Sequence, residues 1–262
     1  MSEDLLWGEI DDEERLKEAR ARLCEGFAVL ASTPGSPKLL KSEEYADALM
    51  KYMLLVLEKE KDINLTAIKE PVEFVELHLL DSLSACILPE IIASNDLVDM
   101  GSGAGFPGMP LALLFPEKRF VLADAIRKRV DFLNSSVEEM NLAHVKAVHA
   151  RAESIGQETF YRESFDVALC RAVASLPIAL EYTMPLVRVG GVGVFYKTVQ
   201  AEDEIKESKL ALELLGADSD VRVVTNERLL PGRGHALYVV RKDRPTPTTY
   251  PRRDGKPKKA PL

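Results

Sequence analysis

Apolar residues recur at helical spacing through the first part of the chain. Leu16, Ala19, Leu23, Phe27 and Leu30 predict a helix over 12–31. The run Ser32-Thr33-Pro34-Gly35-Ser36-Pro37 stops it. A second helix is predicted over about 42–60, started by Ser42 and Glu43, with Tyr45, Leu49, Met53, Leu54 and Leu57 as its apolar positions. A third covers about 72–88 through Val75, Leu79, Leu80 and Leu83.

Near residue 96 the pattern changes to short apolar runs separated by amphipathic stretches. Leu97 to Met100, Phe120 to Ala123, Val145 to His149, Val167 to Cys170 and Gly193 to Tyr196 each read as a buried strand. Strands alternating with helices predict a parallel sheet covered on both faces. After a helix near 201–215 come Val221 to Thr225 and Ala236 to Val240. The loop between them holds Pro231 and Gly232 and has no room for a helix, so these two strands should run antiparallel. The expected fold is α/β, a doubly wound, seven-stranded, mostly parallel sheet with a helical N-terminal cap. Its expected segments are a helical region over 1–90, an α/β domain over 91–245 and a tail over 246–262.

Composition narrows the picture. Hydrophobic residues make up 46% of 262, enough for a globular core. Apolar stretches such as Leu111 to Phe115 are far too short to span a membrane, and no secretory signal opens the chain. Cys24, Cys86 and Cys170 are scattered, and the four histidines add no metal-ligand spacing. A reduced cytoplasmic protein with buried thiols and no metal is expected. The net charge of −8 is unevenly distributed. Glu3, Asp4, Glu9, Asp11, Asp12, Glu13 and Glu14 form an acidic head, whereas Arg252, Arg253, Lys256, Lys258 and Lys259 form a basic tail. Without the head the chain is close to neutral, so its acidity does not exclude a nucleic-acid partner.

Candidate chemistry centres on Asp99-Met100-Gly101-Ser102-Gly103-Ala104-Gly105-Phe106-Pro107-Gly108, which joins a predicted strand to a predicted helix. Glycines allow a sharp turn and close approach of the backbone to a ligand, and the helix start offers free N–H groups. Gly103-x-Gly105-x-x-Gly108 also matches the dinucleotide fingerprint. Asp99, before the glycines, favours instead a cofactor with a cationic amino group and sulfonium over a pyrophosphate. The next strand ends in Asp124, placed either to accept hydrogen bonds from a ribose diol or to cap the helix before Ile126. Glu153 follows the third strand, where it can read a base edge or cap a helix.

These residues resemble a known family. Asn64-Leu65-Thr66-Ala67-Ile68, His78-Leu79-Leu80-Asp81-Ser82-Leu83, Asp99 to Gly108, Lys128 to Leu133, Arg151-Ala152-Glu153, Cys170-Arg171-Ala172 and Tyr250-Pro251-Arg252-Arg253 together look like the glucose-inhibited division protein B family, bacterial 16S ribosomal RNA guanine-N7 methyltransferases. The resemblance runs from about residue 40 to the C-terminus. It implies the class I S-adenosylmethionine methyltransferase fold, S-adenosylmethionine as cofactor, and 16S ribosomal RNA or the small ribosomal subunit as partner of a monomeric enzyme. It implies that Gly101, Phe106, Ala152, Glu153 and Arg171 contact the cofactor, beside Asp99, Ser102, Gly103, Gly105 and Asp124 of the turn and second strand. Three features depart from the pattern: residues 1–31, Thr198 after Lys197, and Asp254 before Gly255.

The chemistry implied needs little from the protein. Guanine N7 already presents a lone pair on the base edge, so no general base is named. The amine-methylating Asn/Asp-Pro-Pro-Tyr/Phe motif is missing where Leu169-Cys170-Arg171-Ala172 stands. Cys170 lacks the proline that precedes a pyrimidine-methylating thiolate, and reads as a buried strand residue. Arg171 could reach a carboxylate or phosphate, or form a surface ion pair. Lys197 could touch RNA or snorkel. The tail, expected to be extended because of its prolines, either contacts phosphates or packs as a strap anchored by Tyr250 and Leu262. The alternatives are a methyltransferase acting on a small molecule or protein, a dinucleotide-dependent oxidoreductase, and a non-catalytic RNA-binding protein.

Overall fold

The chain's structure, a computed structural model, describes residues 9–172, 174–199 and 202–262. Glu3 and Asp4 of the acidic head lie outside them. Seven strands form one sheet: β1 (Asp96–Met100), β2 (Arg119–Asp124), β3 (Val145–His149), β4 (Phe165–Arg171), β5 (Val187–Thr198), β6 (Arg222–Thr225) and β7 (His235–Arg241). Their order is β3-β2-β1-β4-β5-β7-β6. The first five pair in parallel; β7 runs antiparallel to both β5 and β6. The expected sheet and its antiparallel final pair are therefore present.

Alternation along the strands divides the core between two faces. From β1, Leu97 joins the cluster beneath the N-terminal helices, while Val98 and Met100 join the cluster on the opposite face. Helices Glu9–Ala31 and Glu43–Ile63 bury Leu23, Phe27 and Leu30, and Tyr45, Leu49, Tyr52, Met53 and Val56. They share one hydrophobic cluster with Met109, Leu111 and Leu133 from the helices after β1 and β2. Leu54, expected in the core, is 47% exposed. It stands about 100° around the helix from Met53, off the face that positions 45, 49, 52, 53 and 56 define.

Two predicted helices are broken. The third runs through Pro71–Phe74, Val75–Leu80 and Asp81–Leu83, with the middle stretch wound as a π-helix, and gives way to a tighter turn at Ser84–Ile87. Leu88 is extended because Pro89 follows it, and Pro89 opens the next helix, Pro89–Ala93. The helix near 201–215 divides into Glu202–Glu207 and Lys209–Leu215. Between them the Ser208 hydroxyl donates to the Glu204 carbonyl, the backbone competition that bends helices at serine. Cys86 and Cys170 are buried as expected, whereas Cys24 is exposed on the outer side of its helix.

The basic tail packs on the protein, and it is not wholly extended. Gln157 donates to the carbonyls of Thr248 and Pro251, and the Arg162 guanidinium reaches those of Gly156, Thr246, Pro247 and Tyr250. The Pro251 ring lies against Gly156, where a β-carbon would come within 2.7 Å of it. Arg252 forms a two-pronged pair with Glu181, at 2.8 and 2.6 Å, on helix Leu176–Thr183. One helical turn follows, Lys256–Lys259, with Pro257 in its first turn, where a missing N–H costs nothing.

Glu181 is wholly buried and Arg252 supplies its charge partner. Arg252→Ala leaves that carboxylate unpaired and should lower stability by about 3–5 kcal/mol, measured by chemical denaturation of both chains.

Candidate active site

The turn after β1 is built by contacts that the glycines permit. Gly101, Gly103 and Gly105 take φ of 78°, 58° and 84°, values open to glycine at little cost. At Gly105 a β-carbon would sit 2.3 Å from the Tyr52 hydroxyl, which itself donates to the Ala104 carbonyl at 2.6 Å. At Gly108 it would meet Leu122 at 2.3 Å and Asp99 Oδ2 at 2.8 Å. Gly103 differs: nothing lies nearer than the Gly101 carbonyl at 4.0 Å, so its α-carbon faces open space. Ser102 is buried, its hydroxyl donating to the Asp99 carbonyl.

Asp99 is fully buried beneath this turn. Its Oδ2 accepts from the Gly108 N–H at 2.9 Å, tying the end of β1 to the start of helix Gly108–Leu114. Oδ1 is buried with no hydrogen-bond partner among the described residues. Burial pushes the carboxyl up to about 7 against the opposing pull of that N–H, of the Ser102 hydroxyl and of Arg171. Asp124 braces the turn and does not cap the next helix, whose N-cap is Ile126: its oxygens accept from the N–H groups of Gly103 at 2.9 Å and Ile126 at 2.8 Å. Each oxygen retains a second lone pair, and Asp124 still lines a cavity.

That first cavity, about 150 Å³, lies at the carboxyl ends of β1, β2 and β3. Gly101, Asp124, Ala152 and Glu153 line it, together with Tyr182, Gly255 and Lys258, which sequence reasoning did not place there. Glu153 Oε1 accepts from the Gly255 N–H at 2.9 Å and the Tyr182 hydroxyl at 3.4 Å. Tail and glycine turn, far apart in sequence, thus share one cavity.

A second, about 460 Å³, opens at the ends of β4 and β5, lined by His78, Asp81, Arg171, Tyr196, Lys197 and His235 among others. β1 and β4 are hydrogen-bonded neighbours, so their ends, and the two cavities, lie side by side at the point where strand order reverses. Arg171 is tied to the π-helical stretch: it donates to the Leu77 carbonyl at 2.7 Å, Asp81 Oδ2 at 3.0 Å and His78 Nδ1 at 3.0 Å. Its guanidinium also lies 5.4 Å from the Phe106 ring centre. Phe106 stacks on His78, with ring centres 4.7 Å apart and planes 4° from parallel. Burial, then the Arg171 charge, pushes His78 down to about 3, so it is neutral. With Nδ1 accepting from Arg171, Nε2 carries the proton and donates to Thr66 Oγ1. Asp81 Oδ1 pairs with His235 Nδ1 at 2.7 Å. Lys197 is held by Glu204 and the Ala174 carbonyl, at 2.7 and 2.8 Å.

The expected site residues therefore separate into groups. Gly101, Asp124, Ala152 and Glu153 meet at the first cavity. Arg171 and Lys197 meet at the second, and Phe106 packs between the turn and His78. Arg253, Lys256, Lys258 and Lys259 are exposed on the tail, while Arg252 is spent on Glu181. Cys170 is buried, and burial pushes its thiol up to about 12. Sequence reasoning named the segments holding His78 and Asp81 but gave those side chains no role; spacing alone does not reveal that a π-helical stretch and the α-helical turn after it bring them to β4.

Asp99 carries a pH signature. Between its ordinary value of 3.8 and about 7, the folded chain holds a proton that the unfolded chain has released. This group's contribution to stability therefore falls as pH rises through that window. Asp99→Asn removes the dependence, so the melting temperature of the variant relative to the parent should climb from pH 4 to pH 7. Melting curves across that series check it, and a constant difference would contradict the raised value.

Comparison with known proteins agrees with this architecture. The family model described as rRNA small subunit methyltransferase G (GidB) matches residues 45–230. A protein of Acetivibrio thermocellus named ribosomal RNA small subunit methyltransferase G is 42% identical over 84% of this chain and 90% of its own length. Its namesake in Desulfitobacterium hafniense is 42% identical over 83% and 87%. Among solved structures, the S-adenosylmethionine-dependent methyltransferase SibL aligns with a TM-score of 0.51 at 14% identity, over 79% of this chain and 71% of that one. An O-methyltransferase from Bacillus cereus in complex with SAH aligns at 0.50 and 18% identity, over 72% and 89%. These two likenesses show the shared fold; the family assignment rests on the sequence matches, and by them the chain belongs to the rRNA small subunit methyltransferase G family.

Proposed function

We propose that the chain transfers the methyl group of S-adenosylmethionine to N7 of a guanine in 16S ribosomal RNA. The observation that carries this reading, beside the family, is the pair of adjoining cavities at the switch point, one framed by the glycine turn and the other by donors. The first suits the adenosine end of the cofactor. Open space over Gly103 admits a ligand against the backbone, Asp124 keeps lone pairs for ribose hydroxyls, and Glu153 offers an acceptor to an adenine amino group. The buried Asp99, an acid with one oxygen free of donors beneath the turn, disfavours a pyrophosphate there, against a dinucleotide. When bound, S-adenosylmethionine supplies a methyl group activated by its sulfonium.

The second cavity suits an extruded guanine. Arg171 and Lys197 each keep an N–H donor beyond the bonds named above, and guanine offers O6 as an acceptor on the edge that carries N7. N7 attacks with its own lone pair, so no residue has to remove a proton first. The titratable groups fit that lack of demand: Asp81 is paired on both oxygens and His78 is locked neutral. Alignment of base and methyl carbon is then the main contribution of the protein, and positioning of this kind lowers barriers by up to about 7–11 kcal/mol in model reactions. Exposed Arg253, Lys256 and Lys259 supply phosphate contacts. A small-molecule substrate would leave that exposed basic run without a role.

Two outcomes follow. Gly103→Ala places a methyl group in the open space over the turn and costs about 1–2 kcal/mol of backbone strain. It should leave the fold intact while weakening S-adenosylmethionine binding at least tenfold by calorimetry; unchanged affinity would remove the turn from the cofactor site. Labelled methyl groups transferred to 16S ribosomal RNA from cells lacking this protein should appear as 7-methylguanosine on nucleoside analysis. Cys170→Ser should retain most of that activity, because no covalent adduct with the base is formed. Label in an exocyclic amine or in 5-methylcytidine would contradict the mechanism.

A further inference from the structure

The path of the tail brings it to the glycine turn. Residues 246–252 are held along their length: Thr246 by Lys242 and Glu163, the carbonyls of Thr246, Pro247, Thr248, Tyr250 and Pro251 by Arg162 and Gln157, and Arg252 by the buried Glu181. Gln157 follows directly on helix Ala152–Ile155, whose first turn frames the first cavity, and Arg162 donates back to the Gly156 carbonyl at the end of that helix. The anchoring therefore fixes the tail relative to that cavity and not merely to the surface. Past Arg252 the chain reverses at Gly255, with φ of 75°, and Gly255 and Lys258 become part of the cavity lining.

At this wall the Gly255 N–H donates to Glu153 Oε1, the oxygen that the Tyr182 hydroxyl also reaches. Glu153 is 7% exposed, and its Oε2 accepts no hydrogen bond among the described residues. A carboxylate held by two donors on one oxygen keeps the other aimed for a ligand donor. The exposed Arg151–Asp254 pair, at 3.4 Å, adds a weaker tie on the outer side.

We propose that residues 253–258 are a wall of the cofactor site. The Gly255 N–H positions Glu153 for the adenine amino group, and Lys258 closes the outer side of the adenosine end. This rests on reading the first cavity as the cofactor site. It also divides the tail's work. Arg252 anchors, Gly255 and Lys258 complete the cavity, and Arg253, Lys256 and Lys259 are left facing outward toward RNA. A segment that touches both ligands joins cofactor retention to RNA contact.

The test is calorimetric titration of S-adenosylhomocysteine into the full chain, a chain ending at Arg252, Lys258→Ala and Lys258→Arg, each with a melting curve. The shortened chain keeps the Arg252–Glu181 pair. It should bind at least about tenfold more weakly, the size of one well-placed hydrogen bond lost. Lys258→Ala, at an exposed position, should melt like the parent and bind several-fold more weakly, with Lys258→Arg restoring most of the affinity. A folded, shortened chain that binds as tightly as the parent overturns the proposal. Where the shortened chain melts early, Lys258→Ala decides, and unchanged affinity there overturns it too. A full chain that fails to bind overturns the cofactor reading, and this one with it.

Discussion

The hydrogen bond from the Gly108 N–H to the buried Asp99 carboxylate governs the arrangement of the site. It ties the last residues of β1 to the first turn of the next helix, so the intervening chain must fold within the width of a few atoms. Only residues without side chains fit where Tyr52, Met109 and Leu122 close in around Gly105 and Gly108. The turn is then held from three sides: by Tyr52 at Ala104, by Asp124 at Gly103 and by Asp99 at Gly108. Such a loop is preorganised, and a ligand that settles on it spends little free energy on ordering the backbone.

Phe106 extends this rigidity toward the second cavity. Its ring forms the floor on which His78 stacks and over which Arg171 lies. The π-helical stretch Val75–Leu80 brings His78 to face β4, in keeping with the tendency of such stretches to mark functional sites. Around them Asp81 balances Arg171 on one oxygen and His235 on the other. In this buried network the acceptors, both oxygens of Asp81 and Nδ1 of His78, are matched by donors, which suits a site that orients a nucleophile already carrying its lone pair.

The tail shows how one short segment meets several demands at once. Its first half is bound by backbone acceptors to Gln157 and Arg162, its middle by the Arg252–Glu181 pair, and its end by a glycine N–H on Glu153. Of its five basic residues, Arg252 is withdrawn from solvent to neutralise a buried carboxylate, and Lys258 joins the lining of the cavity that Glu153 also lines. Charge counted along the sequence therefore overstates what is available to a polyanion.

The sequence by itself determined what depends on local periodicity and on residues with few conformational options. The strands after residue 96, the antiparallel final pair and the glycine turn were all legible, because alternation, loop length and glycine spacing act over a few residues. So were Asp124 and Glu153 as acids at strand ends, and Cys170 as a core residue. The tertiary structure alone decided the rest. Leu54 faces outward and the third helix breaks because neighbouring packing and Pro89 set the helix face and its end. Arg252 faces inward because Glu181, 71 residues earlier, lies buried beside it. Asp81 collects partners from β4 and β7, and Lys258 reaches the cavity of Gly101, only once the sheet is assembled. Pairings of this kind join residues whose separation along the chain leaves no periodic trace, since they are made by the crossing of elements rather than by the pattern within any one of them.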